Sequence, residues 1–104
     1  MNYIQELKDA KNNPSRLADL HLELAYYHAE LSEQLIEFVE QRAQEWKKNI
    51  QEHKSVIRAE AETDNSDIGV KMRQVKIRIN TIEKLLSSIR RRLDSLDKEA
   101  QNQW

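Results

Sequence analysis

The sequence contains no cysteine, one glycine and one proline among 104 residues, and only 6% of its residues are aromatic. The absence of cysteine excludes disulfides and thiolate metal sites, and it suits a reducing compartment. A single glycine excludes a glycine-rich phosphate loop. No run of about 18 apolar residues and no signal-peptide pattern is present, so we expect a cytoplasmic protein that does not enter membranes.

A regular apolar repeat near the end of the chain predicts the fold. Apolar residues there recur at alternating steps of three and four, which places them on one face of an α-helix. They are Met72, Val75, Ile79, Ile82, Leu86, Ile89, Leu93, Leu96 and Ala100. Such a face needs a partner helix, so we predict an all-α, elongated antiparallel hairpin that resembles a coiled coil.

The few helix breakers set the predicted boundaries within this single domain. We predict a short N-terminal helix over residues 2–11 and a long helix over 14–62, with Asn13 as its N-cap and Pro14 as its first residue. Residues 63–68 form the only turn-rich stretch and predict the bend of the hairpin. A basic helix with a heptad repeat follows over residues 69–101.

A bend near residue 65 predicts which parts of the two long helices meet. Antiparallel pairing then brings together residues whose numbers add to about 130, such as Leu35 with Leu96. The apolar start of the long helix extends beyond this pairing and needs a cover, either the N-terminal helix or a second copy. We predict a homo-oligomer whose interface includes Leu17, Leu20, Leu22, Leu24, Tyr26, Tyr27, Ile77 and Leu85.

The residue types that catalyse reactions or bind metals do not occur at the spacings that such sites require. His21 and His28 lie seven residues apart, but neither has a carboxylate at the spacing of a helical metal site. A calcium loop is rejected because Ile68 and Val75 fall at positions where it needs oxygen ligands. We therefore predict no enzyme activity, no catalytic residue, no metal site and no cofactor.

Charge is divided unevenly along the chain. Residues 1–69 carry 14 acids and 8 bases, whereas residues 70–104 carry 4 acids and 9 bases. The basic helix can pair with Glu37, Glu40 and Glu45 of the long helix, or it can bind an anionic partner such as single-stranded nucleic acid. Candidate nucleic-acid-binding residues are Lys71, Arg73, Lys76, Arg78, Lys84, Arg90, Arg91 and Arg92, with Trp104 as a candidate for base stacking.

The order of several segments carries a resemblance to a known group. A long amphipathic helix, the run RAEAE at residues 58–62, a short polar bend and a basic helix with VKMRQVKIRINTI and IRRRLDSL together resemble small helical proteins of tailed phages. Among these, the chain is similar to UvsY-type recombination mediators. The resemblance implies an oligomer in the host cytoplasm that binds single-stranded DNA, contacts a recombinase and a single-strand-binding protein, and helps to load the recombinase. It places DNA binding on Lys71, Arg73, Lys76 and Arg78.

Two functions of different classes follow from the sequence. The first is a phage-encoded accessory factor of recombination or replication that binds single-stranded DNA, recombination proteins or both. The second is an adaptor or scaffold that binds only proteins, in virion assembly or in inhibition of host defence. A salt titration with an oligonucleotide distinguishes them, because only the first function depends on phosphate contacts.

Overall fold

All regular secondary structure in the described residues is α-helical. The structure is a computed structural model, and it describes residues 2–102. Its helices are α1 (Tyr3–Ala10), α2 (Pro14–His53), α3 (Val56–Asn65) and α4 (Asp67–Asn102). The predicted all-α class and antiparallel helix packing are confirmed, and the short helix predicted for residues 2–11 corresponds to α1.

Side-chain caps define the starts of the first two helices. The side chain of Asn2 accepts a hydrogen bond from the Gln5 backbone N–H. The Asn13 Oδ1 atom accepts one from the Arg16 N–H at 3.1 Å, and α2 begins at Pro14. Each cap satisfies a backbone donor that has no partner inside the helix. The predicted cap and first residue of the long helix are therefore confirmed.

The single helix predicted over residues 14–62 is wrong, because the chain breaks after His53. Lys54 adopts a left-handed conformation with φ of 51°, and its N–H donates to the Ile50 carbonyl oxygen at 2.9 Å. Ser55 is extended, and its side chain accepts a hydrogen bond from the Arg58 N–H. One helix is thus closed and the next is capped within two residues, without glycine or proline.

The second junction is shorter than the bend predicted over residues 63–68. Helix α3 continues to Asn65, and α4 begins at Asp67, so only Ser66 lies between them. The Ser66 Oγ accepts from the Gly69 N–H at 3.3 Å and donates to the Thr63 carbonyl oxygen at 2.6 Å. Helix α4 therefore spans slightly more than the predicted 69–101.

The first of two compact units consists of Met1–His28 and Thr81–Trp104. In it the start of α2 packs against α1 and the end of α4, and its fully buried side chains are Leu17, Leu20, Leu24 and Ile89. Tyr3 and Tyr27 face each other with ring centroids 6.4 Å apart. The His28 Nε2 and the Glu83 Oε1 lie 3.1 Å apart and link α2 to α4.

The second unit, Ala29–Asn80, contains the rest of α2, all of α3 and the start of α4. The buried Asn49 amide donates to the Thr63 Oγ1 at 3.1 Å, and that hydroxyl donates to the Ala59 carbonyl oxygen at 2.6 Å. The Arg42 Nη2 donates to carboxylates of Asp64 at 2.7 Å and Glu60 at 2.9 Å. The chain reverses direction at Lys54 and Ser55, and these contacts hold α3 against α2.

The earlier reversal changes the predicted pairing of the helices. His28 contacts Glu83, whereas the predicted register, with Leu35 opposite Leu96, requires a partner for His28 near the C-terminus. The Arg92 side chain reaches the Lys11 carbonyl oxygen and the Asn12 side chain, so α4 extends alongside the start of α2. The prediction that the start of α2 extends beyond its pairing with α4 is therefore wrong. The end of the predicted long helix forms α3 instead, so α4 reaches the start of α2.

We expect Arg42→Met to lower the free energy of unfolding by about 1 kcal/mol, since it removes two partly exposed ion pairs but keeps an apolar stem. Hydrogen bonds to Asp64 and then to Glu60 raise the pKa of Arg42 above its ordinary value, so the guanidinium stays charged at working pH. Urea unfolding followed by circular dichroism measures the loss. The exposed Arg58→Met serves as the control, and an equal loss in both variants would contradict this role for Arg42.

Candidate nucleic-acid interface

The first turns of α4 present a group of basic side chains to solvent. Lys71, Arg73, Lys76 and Arg78 are all exposed, and no acidic residue lies between Asp67 and Glu83. The apolar face of this segment is directed inward, because Met72 and Val75 are buried. At about 100° per residue, Lys71 and Arg78 lie on one flank of this inward face, and Lys76 and Arg73 lie on the other flank and toward the outer side. We call these four residues together the basic face.

The basic face forms no ion pair within the part of the chain that the structure describes. No hydrogen bond or ion pair joins its four side chains to any residue between 2 and 102. The predicted alternative partners Glu37, Glu40 and Glu45 form no ion pair with them there. In the second unit, Arg42 of α2 instead forms ion pairs with Glu60 and Asp64 of α3.

The other four predicted bases lie in the first unit and differ in their exposure to solvent. Lys84, Arg90 and Arg91 are exposed, but Arg92 is half-buried. The Arg92 Nε donates to the Lys11 carbonyl oxygen at 2.6 Å, and its guanidinium also contacts Asn12 and Glu99. Arg92 therefore fastens the end of α1 to α4, and its part in nucleic-acid binding stays a prediction.

Three of the eight residues predicted for the oligomer interface are buried inside the chain, which contradicts their assignment to that interface. Leu17, Leu20 and Leu24 are no more than 2% exposed. Tyr27 is half-buried against Tyr3. Helices α1 and α4 share their unit with these side chains and cover them, so a second copy has no access to them in this fold.

The remaining predicted interface residues keep apolar surface. Leu22, Tyr26 and Ile77 are all more than half exposed, and Leu85 is half-buried. Leu22 and Tyr26 lie on α2, whereas Ile77 lies on α4 among the residues of the basic face. These side chains remain available for contacts with a partner.

An open groove of about 470 Å³ lies beside the junction of α3 and α4. Gln41 and Glu45 of α2 line one side, and the other side includes Asn65, Asp67 and Lys71. Two carboxylates beside one ammonium group give it a mixed charge. The groove is shallow and polar, unlike the enclosed apolar pockets that hold small molecules.

Other chemistry is limited within residues 2–102. No group of three or more His, Asp and Glu side chains in that range is arranged to hold a metal ion. None of the described helices has both the length and the apolar character that crossing a bilayer requires. Trp104, the predicted stacking residue, lies outside the described residues.

Comparisons with protein-family models, with curated proteins and with solved structures find no match for this chain. The resemblance to UvsY-type mediators therefore stays a prediction from the sequence.

Proposed function

We propose that this protein is a non-enzymatic helical accessory factor that binds single-stranded DNA through the basic face of α4. The observation that supports the proposal is the combination of four exposed bases, an absence of acids from Val70 to Ile82, and no ion pair to the basic face within the described residues. Uncompensated cations attract phosphates and release the counterions that surround a nucleic acid. Binding to the phosphate backbone is the interaction that this arrangement favours.

The composition of the basic face indicates how it would bind. Lysine and arginine contact phosphates, whereas the exposed neighbours Val70 and Ile77 are aliphatic and offer no aromatic ring for stacking. Affinity therefore comes mainly from charge and depends little on base sequence. Four phosphate contacts on a single strand give a loss of affinity of about 50-fold between 50 and 200 mM salt.

The cellular role in this proposal follows from the resemblance to recombination mediators. The protein would hold single-stranded DNA in the host cytoplasm for a recombinase or another replication protein. A homo-oligomer would place several basic faces along one strand, and several weak contacts would then act together.

A titration of a fluorescein-labelled oligothymidylate, followed by anisotropy, tests the DNA-binding proposal. The wild-type chain is expected to bind at 50 mM salt and to lose affinity steeply as salt rises. A variant in which Lys71, Arg73, Lys76 and Arg78 are replaced by Gln is expected to lose at least 30-fold in affinity. The proposal is wrong if the wild-type chain does not bind at 50 mM salt.

The control variant carries the same loss of four charges elsewhere. Lys8, Lys11, Lys48 and Arg58 are exposed and lie on other parts of the chain, so their replacement by Gln changes the net charge equally. This variant should keep most of the affinity. Equal losses in the two variants would show that net charge alone attracts the DNA, which would contradict a defined basic face.

A second candidate function is that of an adaptor that binds proteins without nucleic acid. The exposed Leu22, Tyr26, Ile36 and Val39 on α2 favour it, because exposed apolar side chains on one helix are typical of protein interfaces. Absence of oligonucleotide binding at 50 mM salt would leave this function as the better one.

A further inference from the structure

Helix α2 carries a second stripe of small and apolar residues, four of which are exposed. Within the second unit, Ala29, Ser32, Ile36, Val39 and Ala43 follow one another at steps of three and four. This spacing keeps them on one side of the helix and is the repeat of a helix that pairs with another helix. We call these five residues the outer stripe. It contains no charged residue.

The outer stripe is separate from the side of α2 that packs in the core. Ile36 is 63% exposed and Val39 is 49% exposed, whereas Leu31, on the inner side of the same helix, is 1% exposed. Ala29 and Ala43 are exposed as well. The exposed side chains of this stripe therefore remain available for another surface.

We propose that the outer stripe binds the same stripe of a second copy of this chain, with the two α2 helices antiparallel. The sizes of the side chains favour this occupant. In an antiparallel pair centred between Ser32 and Ile36, Ile36 meets Ser32 of the second copy, and Val39 meets Ala29 of the second copy. Each large side chain then faces a small one, which is the condition for close packing of helices.

A parallel pair of the same stripes does not fit as well. It places Ile36 against Ile36 and Ala29 against Ala29 of the two copies. The Ile36 layer would be filled, but the two alanines would leave a gap in another layer. Cavities are unfavourable, so the pattern of sizes favours the antiparallel pair.

Charge near the centre does not favour the pair. Glu33 of each copy is exposed and approaches its own symmetry mate, which opposes association. Packing of the stripe therefore has to supply the affinity.

The inference rests on α2 alone and does not depend on DNA binding by α4. In sedimentation equilibrium we expect the full chain to have twice its 12.4 kDa mass at high micromolar concentration. Ile36→Glu buries a carboxylate in the proposed contact and should raise the dissociation constant roughly 100-fold. Its circular dichroism spectrum should stay helical, since residue 36 is exposed in the single chain.

The matched control is Ile57→Glu, which introduces the same charge at a residue that is 83% exposed on α3. This variant should associate like the wild-type chain. The proposal is overturned if the wild-type chain is a monomer at 100 µM, or if Ile57→Glu disrupts association as much as Ile36→Glu does. Oligonucleotide binding by the Ile36→Glu monomer shows separately whether the basic face functions.

Cross-linking tests the direction of the pair. The chain has no natural cysteine, so Ala29→Cys and Val39→Cys each introduce a unique thiol. A short bifunctional maleimide should join the two variants when they are mixed, and it should join neither variant to itself. Cross-linking of Ala29→Cys to itself would indicate a parallel pair, and no cross-link in the mixture would contradict the proposed contact.

Discussion

Leu20→Ala is expected to lower the free energy of unfolding by about 3 kcal/mol, whereas Leu22→Ala should change it by less than about 1 kcal/mol. The two residues lie two positions apart on α2, and the chemical change is the same. Leu20 is 1% exposed and Leu22 is 55% exposed. The first variant leaves a cavity among α1, α2 and α4, and the second removes atoms that are largely in contact with water.

Urea unfolding of both variants, followed by circular dichroism at low micromolar concentration, measures this difference. The result also shows whether Leu20 is buried by its own chain or by a second copy. If a second copy covered this leucine, as the sequence predicted, the loss would depend on protein concentration. A loss of about 3 kcal/mol that is independent of concentration supports burial within one chain. Equal losses in the two variants would contradict the described core.

Gly69→Ala is expected to destabilise the protein by about 2 kcal/mol, although alanine is the better helix former. Gly69 is buried in the first turn of α4, and a Cβ atom there would overlap the backbone carbonyl oxygens of Thr63 and Asp64. These are backbone atoms, so no side-chain rotation relieves the overlap. The junction of α3 and α4 would have to open.

The sign of the change makes Gly69→Ala informative. Helix propensity alone predicts a gain of about 1 kcal/mol at an ordinary helical position, whereas the close approach of Gly69 to the Thr63 and Asp64 carbonyl oxygens predicts a loss. Thermal unfolding of wild type and variant, compared at matched concentration, shows which effect is larger. A higher melting temperature in the variant would contradict the close packing of α3 on the first turn of α4.

Several elements could be predicted from the sequence because they depend on neighbours along the chain. The Asn13 cap and Pro14 locate the start of α2, since capping involves residues only three positions apart. The 3.5-residue repeat from Met72 identifies the buried face of α4. Met72, Val75, Ile82 and Ile89 are buried, as that repeat predicts, although Ala100 at its end is exposed.

The break at Lys54 and Ser55 was missed because its signals are weak in a sequence. Serine is a common N-cap, but it also occurs within helices, and lysine is rarely left-handed. Contacts far along the chain favour the break, because Asn49, Thr63 and Arg42 find their partners only when α3 turns back. The outer stripe of α2 was missed for a different reason. Its spacing is visible in the sequence, but the sequence does not show which of two apolar stripes faces the core.

Local spacing and capping are enough to predict that the chain is helical, where α2 begins, which face of α4 is buried and that basic residues are concentrated in α4. Packing between helices is needed to show where the chain reverses and that α1 and α4 cover Leu17, Leu20 and Leu24. It is also needed to show that Arg92 has partners within the chain, whereas the basic face forms no ion pair in the described residues. Those outcomes depend on the register between helices. The break at Lys54 and Ser55 shifts that register for all residues that follow.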